Sequence, residues 1–264
     1  MARAHRHYIP GQIWHITHRC HKREFLLKFA KDRHRWLQWL YQAKKRYELV
    51  ILNYTVTSNH IHLIVYDNFG QQHIPQSIQL VAGRTGQQYN QRKNRKGAFW
   101  QDRYHATIVE KGEHLLRCIV YIDMNMVRAG VVDHPKNWAH GGYVEIQNPR
   151  RKCVLIDYEK LCRLSGLKDF EKFQQAHRKW VNAALTEAKP VRESQWTEAI
   201  AVGNESFVGS VKRQMHALAV GRRVKPSKAG YELREPLASY RSDFEAKKID
   251  IEHKLPRLRK KYDT

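Results

Sequence analysis

Apolar and polar residues alternate from Ile13 to Cys20 (IWHITHRC), the period of a half-buried strand. From Asp32 to Leu49 the spacing changes to that of a helix, carried by Trp36, Leu37, Trp39, Leu40, Ala43 and Tyr47. Leu49 to Thr57 (LVILNYTVT) is rich in β-branched and aromatic residues and reads as a second strand. Ser58-Asn59 is a turn signal, and His60 to Asp67 (HIHLIVYD) is a third strand, which makes residues 49–67 a hairpin. Pro75 opens a helix that Ile78, Val81 and Tyr89 continue to about Lys93. A basic loop (RKNRKG, 92–97) precedes a strand predicted over Ala98–Glu110, and a helix follows from Glu113 to Val127, stopped at Ala129-Gly130.

The first six of these elements have the order of a split βαβ arrangement. This predicts an α+β fold with a ferredoxin-like antiparallel sheet backed by helices. Past Pro149 the pattern weakens. Tyr158–Leu164, Lys168–Ala188, Trp196–Val202 and Glu205–His216 read as helices, Gly221–Gly230 reads as a loop, and the last thirty residues have weak helical periodicity. The expected organisation is a front domain over 1–148 and a basic, mostly helical C-terminal extension over 149–264.

Charge changes the picture. The 264 residues carry 48 Lys and Arg against 25 Asp and Glu, a net charge of +23. The excess is +13 over residues 1–150, +2 over 151–210 and +8 over 211–264. Such an excess points to a polyanionic partner, with nucleic acid ahead of an anionic membrane surface. The tail Arg257-Leu258-Arg259-Lys260-Lys261 reads either as a phosphate grip or as a solvated end. No apolar run is long enough to span a membrane, and the basic start has no apolar core behind it, so neither a membrane span nor a secretory signal is expected. Cys20, Cys118, Cys153 and Cys162 form no CxxC pair and read as reduced thiols of a cytoplasmic protein.

The candidate chemistry lies on the third strand and the last helix of the front region. His60 and His62 are two apart, so both imidazoles project from one face of the strand while Ile61 turns into the core. Two adjacent imidazoles make a platform for a divalent metal. By itself an H-x-H triplet is weak evidence in a chain with 16 histidines, and His5-Arg6-His7 is another such triplet. Tyr121 and Asn125 are four apart on the helix and share a face. A tyrosine can attack phosphorus, yet from the helix alone Tyr121 reads first as a core aromatic between Ile119 and Ile122. His15, His18 and His21 cannot all face one way along a strand and are not read as a metal site.

Taken together, these residues resemble a family. Tyr8-Ile9-Pro10-Gly11, His15-Ile16-Thr17, Ser58-Asn59-His60-Ile61-His62-Leu63, Phe99-Trp100-Gln101-Asp102-Arg103 and the run from Tyr121 to Gly130 (YIDMNMVRAG) are similar to the single-tyrosine HUH transposases. Among these they most resemble the REP-associated tyrosine transposases, which act on palindromic repeats in bacterial genomes. The resemblance covers about residues 3–147 and departs at Met126, where relatives usually carry proline. It implies an HUH endonuclease core with His60, His62 and Asn125 as ligands of Mg²⁺ or Mn²⁺. Tyr121 would be the nucleophile, forming a 5′-phosphotyrosine on single-stranded DNA beside a hairpin. It also implies a nucleoid-associated bacterial protein, either monomeric or dimeric.

Candidate DNA contacts are Arg3 and Arg6 on an N-terminal arm, Arg19 after the first strand, Arg92, Lys93, Arg95 and Lys96 in the basic loop, and Gln101 and Arg103 on one face of the fourth strand. For the loop and the strand a purely structural role reads about as well. A plasmid-type relaxase is disfavoured by motif order. The alternative from another class is a non-catalytic single-stranded nucleic-acid-binding protein, an inactivated or domesticated transposase, with Tyr54 and Tyr66 as stacking platforms.

Overall fold

The computed structural model describes residues 9–68, 73–186 and 192–235. Its front part follows the expected order: β1 (Ile13–Arg19), α1 (Ala30–Tyr47), β2 (Val50–Val56), β3 (His60–Tyr66), α2 (His73–Arg92), β4 (His105–Val109), α3 (Glu113–Asp123) and α4 (Asn125–Arg128). These four strands stand in the order β2-β3-β1-β4, every neighbouring pair antiparallel. This is the split βαβ arrangement read from the sequence.

The register fixes the faces. Thr17 lies opposite His62 and Arg19 opposite His60. His15, Thr17, Arg19, His60 and His62 therefore share one face of the sheet. α1 and α2 pack together on the other face, and α3 lies over the histidine face, where Asn53 Nδ2 on β2 donates to Asp123 Oδ1 at 3.1 Å. With both faces covered, β1 is buried on both sides: Trp14 and Ile16 as well as His15 are at most 5% exposed. The alternation in its sequence separates two interiors rather than core from solvent.

Three stretches depart from expectation. The strand predicted over Ala98–Glu110 is confined to His105–Val109, and residues 101–103 are bends. Phe99 is buried against the Tyr89 ring, and Trp100 Nε1 donates to Ala82 O on α2. These aromatics anchor a connection rather than pave a strand, so Gln101 and Arg103 do not share a strand face. The last helix of the front region breaks at Met124, with ψ near 0°, and α4 ends before Gly130 at φ +66°. Finally, the C-terminal region adds three strands that the sequence pattern did not reveal.

α5 (Gly142–Gln147) lies just before that region, which contains α6 (Tyr158–Ser165), α7 (Phe170–Thr186), α8 (Gln195–Glu198), β5 (Ala201–Gly203), α9 (Glu205–Gln214), β6 (Arg223–Ser227) and β7 (Gly230–Arg234). β5 lies parallel to β4, and β7 and β6 continue the same sheet to seven strands. Helix still exceeds strand there, as expected, but residues 201–203, 223–227 and 230–234 are strands. β6 holds Pro226 and is largely exposed, which fits an edge strand and explains why its sequence reads as a loop.

Buried polar groups tie the region to the front sheet. Glu145, fully buried, accepts from Tyr54 Oη and from the backbone N–H groups of Leu155 and Ile156. Tyr54 is therefore a core residue, not a base-stacking platform. Asp123 Oδ2 lies 2.7 Å from His177 Nε2 on α7, and Gln147 lies 3.1 Å from the other ring nitrogen. Among the described residues all four cysteines are free, and no helix is long and apolar enough to cross a membrane.

Candidate active site

One cleft of about 630 Å³ opens on the histidine face. His60, His62, Tyr121 and Asn125 all line it, together with Arg19, Arg23, Arg103, Arg128 and Arg192. The strand places the two imidazoles 5.0 Å apart between ring centroids, nearly perpendicular. The helix sets the Tyr121 ring edge-on to His62 at 6.1 Å. The break at Met124 leaves Asn125 above the histidines: its amide nitrogen stands 3.0 Å from His62 Nε2 and 3.5 Å from His60 Nε2.

Hydrogen bonds fix which ring nitrogen of each histidine is free. His60 Nδ1 lies 2.7 Å from Asn59 Oδ1, an acceptor whose companion Nδ2 is turned to Arg23 O. His60 Nδ1 therefore carries the proton and Nε2 a lone pair. His62 Nδ1 lies 2.9 Å from His15 Nε2, while its Nε2 faces the Asn125 amide N–H. His62 thus also donates through Nδ1, and both Nε2 lone pairs converge on Asn125.

Burial favours the neutral rings. Desolvation, and then the charges of Arg19, Arg128 and Arg192, lower His60 to about 4. Desolvation first, then His60 and His15, holds His62 well below its ordinary value. His15, fully buried, is lowered to about 3 by desolvation, with the Trp196 carbonyl partly opposing.

This donor set suits a divalent cation. Among the described residues no group of three His, Cys, Asp or Glu side chains is placed to hold one. The histidine pair needs a third donor of another kind, and Asn125, with its amide rotated to present oxygen, supplies it. Two neutral imidazoles backed by hydrogen bonds to their distal nitrogens are the usual form of a metal-binding pair.

Tyr121 is 5% exposed and keeps an edge on the cleft. Burial raises its phenol, and Arg128 and Arg192 oppose that rise. The Arg128 guanidinium lies 4.1 Å from the ring centroid, close enough for a cation–π contact.

The candidate DNA contacts divide. Arg19, Gln101 and Arg103 line the cleft. Arg92 is paired with Asp32, and Arg95 bridges Glu24, Asn90 and the carbonyl of Ala98, so these two close the loop that carries them. Lys93 lies over the Phe29 ring and Lys96 is exposed, both away from the cleft. Arg3, Arg6 and the 257–261 tail lie outside the described residues. Three contributors were not singled out in the sequence. His15 and Asn59 act behind the ligating histidines, and Arg192 comes from far along the chain. His15 sat in plain view opposite the H-x-H strand, but only the register brings it to His62.

The family model described as "Transposase IS200 like" matches residues 9–125, a stretch that includes both histidines, Tyr121 and Asn125. No curated protein matches the chain. Solved structures similar to this chain include the following two. A REP-associated tyrosine transposase bound to a REP hairpin is 18% identical, with TM-score 0.47, over 60% of this chain and 95% of that one. A candidate transposase from Deinococcus radiodurans R1 is 15% identical, with TM-score 0.33, over 45% of this chain and 92% of that one. Residues 9–125, which carry β1–β4 and the helix beside the cleft, are thus similar to the IS200-like transposase family.

Proposed function

We propose that this chain is a metal-dependent single-stranded DNA endonuclease and strand transferase that cuts and rejoins DNA beside a hairpin through a 5′-phosphotyrosine. One observation carries the reading. The Nε2 atoms of His60 and His62 converge on Asn125 at the start of α4, and Tyr121, on α3 just before the break at Met124, shares their cleft.

In this reading the Tyr121 hydroxyl oxygen bonds to phosphorus while the bond from phosphorus to the 3′ oxygen breaks. The phenol proton ends on the released 3′-OH, so charge balances without a co-reactant. The phosphotyrosine retains the energy of the broken diester, and a 3′-OH reverses the step to rejoin DNA. His60, His62 and Asn125 would hold Mg²⁺ or Mn²⁺, and the mixed nitrogen–oxygen set favours Mn²⁺. When bound, the metal polarises the scissile phosphate and offsets charge developing on it.

The remaining work falls to the chain itself. Asn59 and His15 keep the two Nε2 lone pairs free. The short distance from Arg128 to the Tyr121 ring favours the phenolate against the burial that disfavours it. Arg19, Arg23 and Arg103 supply cationic donors for the DNA backbone along the cleft.

The test is a denaturing gel of protein mixed with labelled single-stranded hairpin oligonucleotides and Mn²⁺. A metal-dependent shifted band that Tyr121→Phe abolishes, while hairpin binding persists, is the expected result. Tight binding with no adduct on any oligonucleotide would leave a non-catalytic binding protein instead.

A further inference from the structure

We infer that Arg192, which lies beyond the family-matched stretch, is a catalytic residue that grips the non-bridging oxygens of the scissile phosphate together with Arg128. The inference rests on the transferase reading above. Its ground is that the chain after β4 returns to the cleft: Arg192, Thr197 and Glu198 line it beside Tyr121 and His60.

The backbone that delivers Arg192 is fixed. Trp196 is 1% exposed, its ring centroid 6.2 Å from that of Tyr121. Its Nε1 donates to Glu193 at 3.1 Å. Thr107 Oγ1 on β4 donates to Ala199 O at 2.7 Å, and β5 continues into the sheet. The guanidinium, by contrast, is loosely held. The Arg192 side chain is 59% exposed and its main partner is Glu198 Oε1 at 2.9 Å.

Glu198 is itself shared. Its other oxygen lies 3.3 Å from Arg234, which also donates to Ser194 Oγ. An exposed ion pair of this kind holds its members weakly. A phosphodiester entering the cleft can therefore displace the carboxylate from Arg192, while Arg234 still neutralises it. A guanidinium freed in this way matches two phosphate oxygens at once. A purely structural role is poorly served by this pair, because Arg234, Glu193 and Thr107 already anchor the same segment.

Attack by Tyr121 places added negative charge on the non-bridging oxygens, and donors aimed there act on the rate more than on binding. The test measures adduct formation in a single turnover at saturating hairpin-flanked single-stranded DNA with Mn²⁺. Binding of the same DNA is measured in a Tyr121→Phe background. Arg192→Ala is expected to slow adduct formation by about tenfold to a hundredfold, with binding weakened less than about threefold. Free guanidinium ion should restore part of the rate, and Arg192→Lys should fall between, neither of which a structural staple would give. A rate for Arg192→Ala within about twofold of the parent overturns the inference, as does an equal loss of rate and binding. If the parent protein forms no adduct, the transferase reading falls and this role falls with it.

Discussion

Replacing His15 by phenylalanine isolates the part of the site that only the fold reveals. His15 is fully buried and contacts His62 Nδ1 at 2.9 Å. Phenylalanine keeps a ring in that space but removes the acceptor. His62 must then leave its Nδ1–H unpaired in the interior, at a cost of about 1–3 kcal/mol, or move the proton to Nε2 and lose its free lone pair. Loss of such a supporting hydrogen bond typically lowers metal affinity by about ten- to a hundredfold. That range is about 1.4–2.7 kcal/mol, in agreement with the unpaired N–H. The assay is a titration of the DNA-free protein with Mn²⁺, following the free ion by electron paramagnetic resonance. His15→Phe should bind about ten- to a hundredfold more weakly, and His15→Gln, which can place Oε1 near the lost Nε2, should recover part of the loss. An affinity for His15→Phe within about twofold of the parent would refute the claim that His15 sets the form of His62.

Two further outcomes follow from buried polar groups. In His177→Phe the Asp123 carboxylate keeps Asn53 but loses its imidazole, 2.7 Å away and fully buried. Urea unfolding should show a loss of about 3–5 kcal/mol, and a loss below about 1 kcal/mol would count against the pair as a structural tie between α3 and α7. Stability of the metal-free protein should also fall with acid. In the unfolded chain imidazoles take up protons near 6.5, whereas folded His60 holds off to about 4 and His15 to about 3. Stability is therefore full above the unfolded value. It declines as pH falls towards 4 and then 3, by up to about 1.4 kcal/mol per pH unit for each group. A urea midpoint that stays flat from pH 7 to pH 4.5 would contradict the buried neutral rings.

The front of the fold was legible because its signals are local. Period-2 and period-3.6 patterns changed at Asp32, Leu49, Pro75 and Glu113, close to where the elements begin, and the H-x-H and YIDMN spacings placed four side chains on matching faces. What escaped depends on contacts distant in sequence. Trp100 looks like strand material because aromatics favour strands, yet its indole is spent on α2. β5 is three residues long and β6 contains proline, so neither has a period to read. Arg92 and Arg95 stand in a basic run that suggests a phosphate clamp, but Asp32 and Glu24 reach them through the fold. Arg192 carries no motif, and only the path of the chain back beside β4 brings it to Tyr121.

The most direct measurement is to find the atom that joins protein to DNA. The parent protein is reacted with a hairpin-flanked single strand and Mn²⁺, the covalent complex is digested with protease and nuclease, and the peptides are sequenced by mass spectrometry. The account predicts a 5′-linked nucleotide on Tyr121 and on no other residue. Attachment at a different side chain, or cleaved DNA with no peptide attached, would contradict it.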